Sequence, residues 1–243
     1  MICGITTAPR PGGVSYLEKT LRSLFEAGLF GSRVTVFAEP GSFLVEQPTA
    51  AHLWQNLLRR GNFGNWKNMA GVLCRDADDQ REKYILTAED DIFLSPEAIP
   101  RAAAILEKLT AENENIGCLC LYSSRKYQLL AAGRSIFSLS KQELWRARSV
   151  GLEGACALAW PVNSLKAVLE SKTVQEWRGG ALLPFPEGSP EIAHVDTCIG
   201  HALNELGLNP YFMNPCLADH VGEVSAVMPG KTLTEFRRAD SVL

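Results

Sequence analysis

The sequence has no apolar run near the roughly 20 residues that a membrane-crossing helix needs, so no membrane span is expected. It has no CxxC pair. Its seven cysteines are scattered and odd in number, which argues against a disulfide framework and against a paired-cysteine metal centre. The opening MICGITTAPRPGG carries neither a basic n-region nor a long apolar stretch, so no signal peptide is expected. Together with the free thiols this predicts a cytoplasmic protein, in a bacterium or a virus-infected cell. A net charge of −3 leaves no general bias toward polyanions. No repeat, low-complexity tract or clear linker breaks the chain, so one domain over residues 1–243 is expected. What is present is ordinary core material, 46% hydrophobic and 21% charged, enough to bury a substantial interior.

Strand and helix patterns alternate. MICGITTA reads as a strand. Ser15 to Ala27 has apolar residues at Leu17, Leu21, Leu24 and Phe25, a helical spacing, with Gly28 as its stop. Arg33 to Ala38 is a second strand, residues 66 to 78 a helix, and KYILTA a third strand whose continuous apolar run suits a sheet covered on both faces. Pro96 to Leu109 is a helix with Ser95 as cap, and Gly117 to Tyr122 a fourth strand. Cys118 and Cys120 alternate along it and read as small buried hydrophobes. Gly151 to Trp160 reads as a strand and Ser164 to Ser171 as a helix. Asp196 opens a helix that Gly207 ends, and a strand and turn follow over YFMNPCLADHVGEVSAV. The expected class is α/β, an open sheet flanked by helices.

The chemistry centres on YILTAEDDIFLSP, residues 84 to 96, where a buried strand runs into Glu89, Asp90 and Asp91. In open α/β sheets, ligands sit beyond the carboxyl ends of strands. Glu39 ends another strand. Several acids on one rim suit Mg²⁺ or Mn²⁺, which prefer carboxylate oxygens. The competing reading is a solvated turn whose acids favour the next helix N-terminus.

The acidic triplet at a strand end, a Gly-containing segment, an acid opening a helix and a late histidine together resemble the GT-A glycosyltransferases. The resemblance runs from GITTAPRPGGVSYLEKTLRSL to ADHVGEVSAV and is closest to the N-acetylglucosaminyltransferase IV-like branch. It implies a GT-A (Rossmann-like) open mixed sheet, with residues 1–122 as the nucleotide-sugar half and 123–243 as the acceptor half. In such enzymes the triplet holds a divalent ion, Mn²⁺ or Mg²⁺, against the diphosphate of a nucleotide sugar, and the resemblance implies a UDP-linked donor here. The resemblance makes Asp91 the direct ligand, with Glu89 and Asp90 beside the donor. Glu89 stands where the family more often has Asp, which leaves a ribose contact from it open. His220, in ADHVG, matches the late metal-binding histidine, whereas His52, His194 and His201 have no such support. Asp196, in HVDTCIGHAL, matches the general base of inverting members. A carboxylate within reach of the acceptor hydroxyl can take its proton, and Asp at that position also suits a helix cap. Thr6, Thr7 and Arg10 fall where the family holds the nucleotide, Arg10 facing phosphate and Glu39 base or ribose. Asn65 and Lys67, in GNFGNWKN, match the loop over the donor.

The acceptor is a hydroxyl, on a glycan or on a hydroxymethylated pyrimidine of phage DNA. Residues 123–149 carry Arg125, Lys126, Arg134, Lys141, Arg146 and Arg148 against Glu143 alone. That segment is either a solvated face or a patch for an anionic acceptor, with Arg125, Lys126, Arg134 and Arg146 as its candidates. Tyr127 and Trp145 within it would suit stacking on a flipped base, or simply fill core. Two other classes stay open. A sugar-nucleotide pyrophosphorylase wants a Gly-rich basic loop that PRPGG matches poorly. A non-catalytic carbohydrate- or nucleotide-binding module would not need Asp196 and the acid cluster together.

Overall fold

The computed structural model describes residues 1–39, 58–60, 66–112, 114–123, 144–146, 152, 156–177, 195–213 and 215–223. The strands are β1 (Ile2–Thr7), β2 (Val34–Ala38), β3 (Leu58–Arg60), β4 (Tyr84–Glu89), β5 (Ile92–Leu94), β6 (Ile116–Cys120), β7 (Leu144–Arg146), β8 (Ala157–Pro161), β9 (Asn209–Met213) and β10 (Ala218–His220). The helices are α1 (Leu17–Glu26), α2 (Trp66–Gln80), α3 (Ala98–Ala111), α4 (Val162–Glu170), α5 (Lys172–Glu176) and α6 (Val195–Glu205).

Eight strands form one mixed sheet in the order β3-β2-β1-β4-β8-β6-β9-β7, and β5 and β10 pair separately as an antiparallel ribbon. The open, helix-flanked α/β sheet is therefore the observed architecture. β1 is parallel to β2 and to β4, whereas β8 runs antiparallel to β4 and to β6. Two buried clusters cover the sheet. α1 and α3 pack on one face with Ile5, Leu86 and Ala88, while α2, α4, α5 and α6 pack on the other with Ile85, Leu158 and Trp160. Alternate residues of β4 thus enter opposite clusters, which is why KYILTA is apolar without a period of two. Cys118 and Cys120 both lie buried in the second cluster, as their alternation implied.

The helix ends follow their stop signals. Gly28 has φ 89° and Gly207 has φ 65°, and Leu29 and Leu208 donate back to Leu24 O and Leu203 O in Schellman closures. Two local expectations fail. Phe25 does not face the core. It is 48% exposed and packs on Phe30 at a centroid separation of 5.6 Å, because the inner face of α1 is completed by Thr20 and Ser23. Ser95 does not cap α3. The cap position is Glu97, and the Ser95 backbone is held by Leu217 O at 3.0 Å, at the end of the β5–β10 ribbon. The strand read over Gly151 to Trp160 is observed over Ala157–Pro161, so Cys156 stands just before its start.

Candidate active site

β1, β2 and β4 are parallel, so their carboxyl ends form one rim. The register sets Thr6 opposite Glu89 and Thr7 opposite Ala38, and Glu39 N donates to Thr7 O at 2.9 Å. This gathers Thr6, Thr7, Glu39 and Glu89 from three separate segments. β8 then enters where β4 leaves. Ala88 pairs with Ala157, and Glu89 N donates to Cys156 O at 2.9 Å.

The turn Glu89–Asp91 is held by neutral hydroxyls and one cation. Thr7 Oγ1 donates to Asp90 Oδ2, and Thr20 Oγ1 donates to Asp90 O at 2.7 Å. Arg10 donates through Nη1 to Asp90 Oδ2 at 2.7 Å and through Nη2 to Asp90 Oδ1 and to Asp91 Oδ2, the last at 3.0 Å. The guanidinium also lies 5.1 Å from the centroid of the Tyr16 ring. Burial by itself would lower the Arg10 pKa. The hydrogen bond and charge of Asp90, and then Asp91, more than offset this and raise it. Arg10, expected at a phosphate, thus has its guanidinium on the Asp90 and Asp91 carboxylates. Asp90, expected beside the donor, has both carboxylate oxygens engaged by the chain itself.

The ribbon brings the late histidine in. His220 pairs with Ile92, and Val221 N donates to Asp91 O at 2.8 Å. His220 Nε2 then lies 3.4 Å from Asp91 Oδ2, with Tyr122 tilted against the imidazole at 5.8 Å between centroids. A Cβ on Gly222 would stand 2.3 Å from Asp91 Oδ2, so the backbone there must lack a side chain for the segment to close over the turn. Glu223 N donates to the Tyr16 hydroxyl at 2.9 Å, tying this segment to the residue beneath Arg10.

The site holds more negative charge than Arg10 offsets. Asp91 is 6% exposed, and its Oδ1 is buried with no hydrogen-bond partner among the described residues. Glu89 is pushed up to about 8, by burial first and by the charge of Asp91 next. A hydrogen bond with Cys156 opposes the rise, and Asp90 and Asp196 add to it. Ligand atoms of Glu89, Cys156 and His220 all lie within 4.8 Å of one another. A buried orphan carboxylate oxygen beside an imidazole and an acid that burial keeps from ionising is a donor set that fits a divalent cation.

Asp196 sits in the first turn of α6, half-buried, with Oδ1 accepting from Thr197 N at 2.8 Å. Its charge helps to raise the pKa values of both Glu89 and Cys156. Lys67 stands in the first turn of α2. Its Nζ donates to Val174 O at 3.1 Å, across the α2–α5 packing. Arg146 is exposed on β7, at the far edge of the sheet. Asn65, Arg125, Lys126 and Arg134 lie outside the described residues. Sequence reasoning missed three contributors. Thr20 fell on the inner face of α1 but is not apolar, Tyr16 precedes that helix, and Cys156 read as strand interior.

No protein-family model and no curated protein matches the chain. Solved structures similar to it include the crystal structure of S. aureus TarS, at TM-score 0.45 and 13% identity over 88% of this chain and 36% of that one. TarS 1–349 aligns at TM-score 0.45 and 14% identity, over 88% and 60% of the respective chains. TarS 1–349 in complex with UDP-GlcNAc aligns at TM-score 0.39 and 14% identity, over 68% and 47%. The chain therefore spans between about a third and three fifths of the TarS chains it aligns with. Among the described residues no helix is long and apolar enough to cross a membrane.

Proposed function

We propose that this chain is a metal-dependent GT-A glycosyltransferase that moves a sugar from a nucleotide-sugar donor to a hydroxyl. The observation that carries this reading is one rim, at the carboxyl ends of parallel strands, where Asp91 and His220 come within 3.4 Å of each other beside Glu89, and where the charge of Asp196 acts on Glu89. The finer resemblance to the N-acetylglucosaminyltransferase IV-like branch rests on the opening GITTAPR and the closing ADHVGEVSAV motifs.

Asp91 and His220 would hold Mn²⁺ or Mg²⁺, with Glu89 beside them. A cation bound there supplies positive charge to a leaving nucleoside diphosphate. The chain's own residues do the rest. Thr6, Glu39 and Glu89 line the strand ends where a nucleoside would lie. Arg10, Thr7 and Thr20 fix the acidic turn, so that the carboxylate does not have to reorganise when the donor arrives. Asp196 takes the proton of the attacking hydroxyl, in an inverting displacement. The donor is UDP-linked in this reading. The acceptor is a glycan hydroxyl or a hydroxymethylated pyrimidine in phage DNA, with Arg125, Lys126 and Arg134 as its candidate contacts; Arg146, on β7 at the far edge of the sheet, drops out of that set.

Calorimetric titration of UDP with and without Mn²⁺, in wild type and Asp91→Asn, tests the proposal. Binding that requires Mn²⁺ and falls at least ~100-fold in the variant is the expected result. Mn²⁺-independent UDP binding would remove the cation from the reading. If no nucleoside diphosphate binds, the acids form only a turn and the transferase reading fails.

A further inference from the structure

The rim carries two overlapping donor sets. One is hard: the carboxylate of Asp91 with the imidazole of His220, separated by 3.4 Å. The other is mixed: the carboxylate of Glu89, the thiol of Cys156 and the same imidazole, whose ligand atoms lie within 4.8 Å of one another. The strand pairing dictates this second set. Because β8 is antiparallel to β4 and Ala157 pairs with Ala88, the residue before β8 must stand next to Glu89. Cys156 is also the one half-buried cysteine of the seven, the other six being buried. Asp91 Oδ1 is buried without a partner among the described residues, and His220 Nε2 lies 3.4 Å from the other oxygen of that carboxylate.

The two sets differ in the thiolate, which selects differently from carboxylate. Sulfur ligands favour Zn²⁺ and its softer congeners, and Zn²⁺ is content with four ligands drawn from Cys, His and Asp or Glu. Across nitrogen, oxygen and sulfur sites Mn²⁺ binds weakest of the common divalent transition metals and Zn²⁺ well above it. We infer that Glu89, Cys156 and His220 form a thiophilic divalent-cation site, for Zn²⁺ or Cd²⁺, that competes with the hard-ion site by sharing His220. On binding, the Cys156 sulfur–hydrogen bond and the Glu89 oxygen–hydrogen bond break, sulfur–metal and oxygen–metal bonds form, and both protons leave to solvent, with no change of oxidation state. Occupancy of the mixed set takes the imidazole from Asp91, so a soft cation acts as an inhibitor of donor binding. The inhibitory consequence rests on the transferase reading, while the site itself does not.

Co²⁺ is the spectroscopic probe. Titrated into the wild-type protein it should give a near-ultraviolet thiolate-to-cobalt charge-transfer band, absent in Cys156→Ser and in Cys156→Ala. Cd²⁺ should displace the Co²⁺ and bind the two variants at least ~10-fold more weakly than wild type. Alkylation mapping on the wild-type protein needs no variant: Cd²⁺ should protect Cys156 from iodoacetamide. A missing band in wild type, a band that survives in both variants, or unprotected Cys156 at saturating Cd²⁺ would overturn the site. If the band forms but UDP binds without any divalent ion, the soft-cation site stands and the inhibitory role falls. If UDP binding needs Mn²⁺ and Cd²⁺ at saturation leaves it unchanged, the competition through His220 is refuted.

Discussion

The two sides of the sheet meet the rim in opposite ways. From β3 to β4 every neighbour is parallel, so strand ends of one kind line up, and the rim there collects Thr6, Thr7, Glu39 and Glu89. From β4 to β7 the direction alternates, antiparallel at β8 and β7 and parallel between β6 and β9. Strand beginnings and strand ends therefore mix on that side, and Cys156 arrives beside Glu89 as the residue that opens a strand. The parallel side produces a site by repetition, as open α/β sheets generally do. The mixed side adds to it a group that repetition would not supply.

The largest effect expected from breaking this arrangement is chemical. Asp196→Asn, on the helix that leads into β9, should lower transfer by ~10²–10⁴-fold while leaving Mn²⁺-dependent UDP binding within about twofold. Retained transfer under single-turnover conditions would remove Asp196 from the base role.

Next come two glycines, one on each side of the seam, each lying under a helix. A Cβ on Gly4 would meet Leu73 Cδ1 at 2.6 Å and Met69 Cγ and Sδ at 2.8 Å, all side-chain atoms. A Cβ on Gly117 would meet Leu203 Cδ2 at 2.4 Å and also the Asn209 carbonyl oxygen at 3.2 Å, which is backbone of the neighbouring strand. Both substitutions to alanine overpack a buried position, at about 1–3 kcal/mol each, with Gly117→Ala the costlier because strand backbone cannot rotate aside. Urea unfolding of the two variants checks the order, and an equal or reversed order would mean that β9 yields more readily than α2.

Smaller still is the pH dependence that Glu89 imposes. Its folded-state pKa is raised from 4.5 to about 8, by burial and then by Asp91, so between those values the folded state binds a proton that the unfolded state has released. Stability then falls as pH rises through that window. Melting temperatures of the chelator-treated protein should decline over this range relative to Glu89→Gln, and a shared slope for both proteins would assign the decline to another group. The smallest effect belongs to the surface. Arg22 and Glu18 pair at 3.0 Å on α1 with both side chains more than half exposed, and Arg22→Ala should change stability by less than about 0.5 kcal/mol.

Much of this was legible before any coordinates. The order of strands and helices followed hydrophobic period and glycine stops, and the acidic triplet, Asp196 and His220 were each visible as chemistry at the end or the start of an element. What stayed hidden has a common physical cause. Phe25 reads as apolar at a helical spacing, yet Thr20 and Ser23 take the inner face because the turn at 90–94 needs donors and acceptors: Thr20 Oγ1 serves Asp90 O, and Ser23 Oγ accepts from Leu94 N at 3.1 Å. Sequence alone cannot tell a hydroxyl that satisfies buried backbone from one that faces water. Ser95 carries the signature of a helix cap, but a hydrogen bond to Leu217, far along the same chain, fixes its backbone for another purpose. Arg10 looked like a phosphate ligand because its partners are some 80 residues distant, which local pattern does not reach. Cys156 was lost through an offset in where a strand begins, the least secure quantity in any reading by pattern.

The ribbon of β5 and β10 also sets a schedule. Asp91 lies in the first half of the chain, and the histidine that completes its surroundings comes roughly 130 residues later, joined by pairing of Ile92 with His220. A ribosome delivering this chain from its N-terminus exposes the acidic turn long before that histidine emerges. Arg10, which meets Asp90 and Asp91 in the fold, is among the first residues made, whereas the pairing of Ile92 with His220 is among the last contacts the chain can complete.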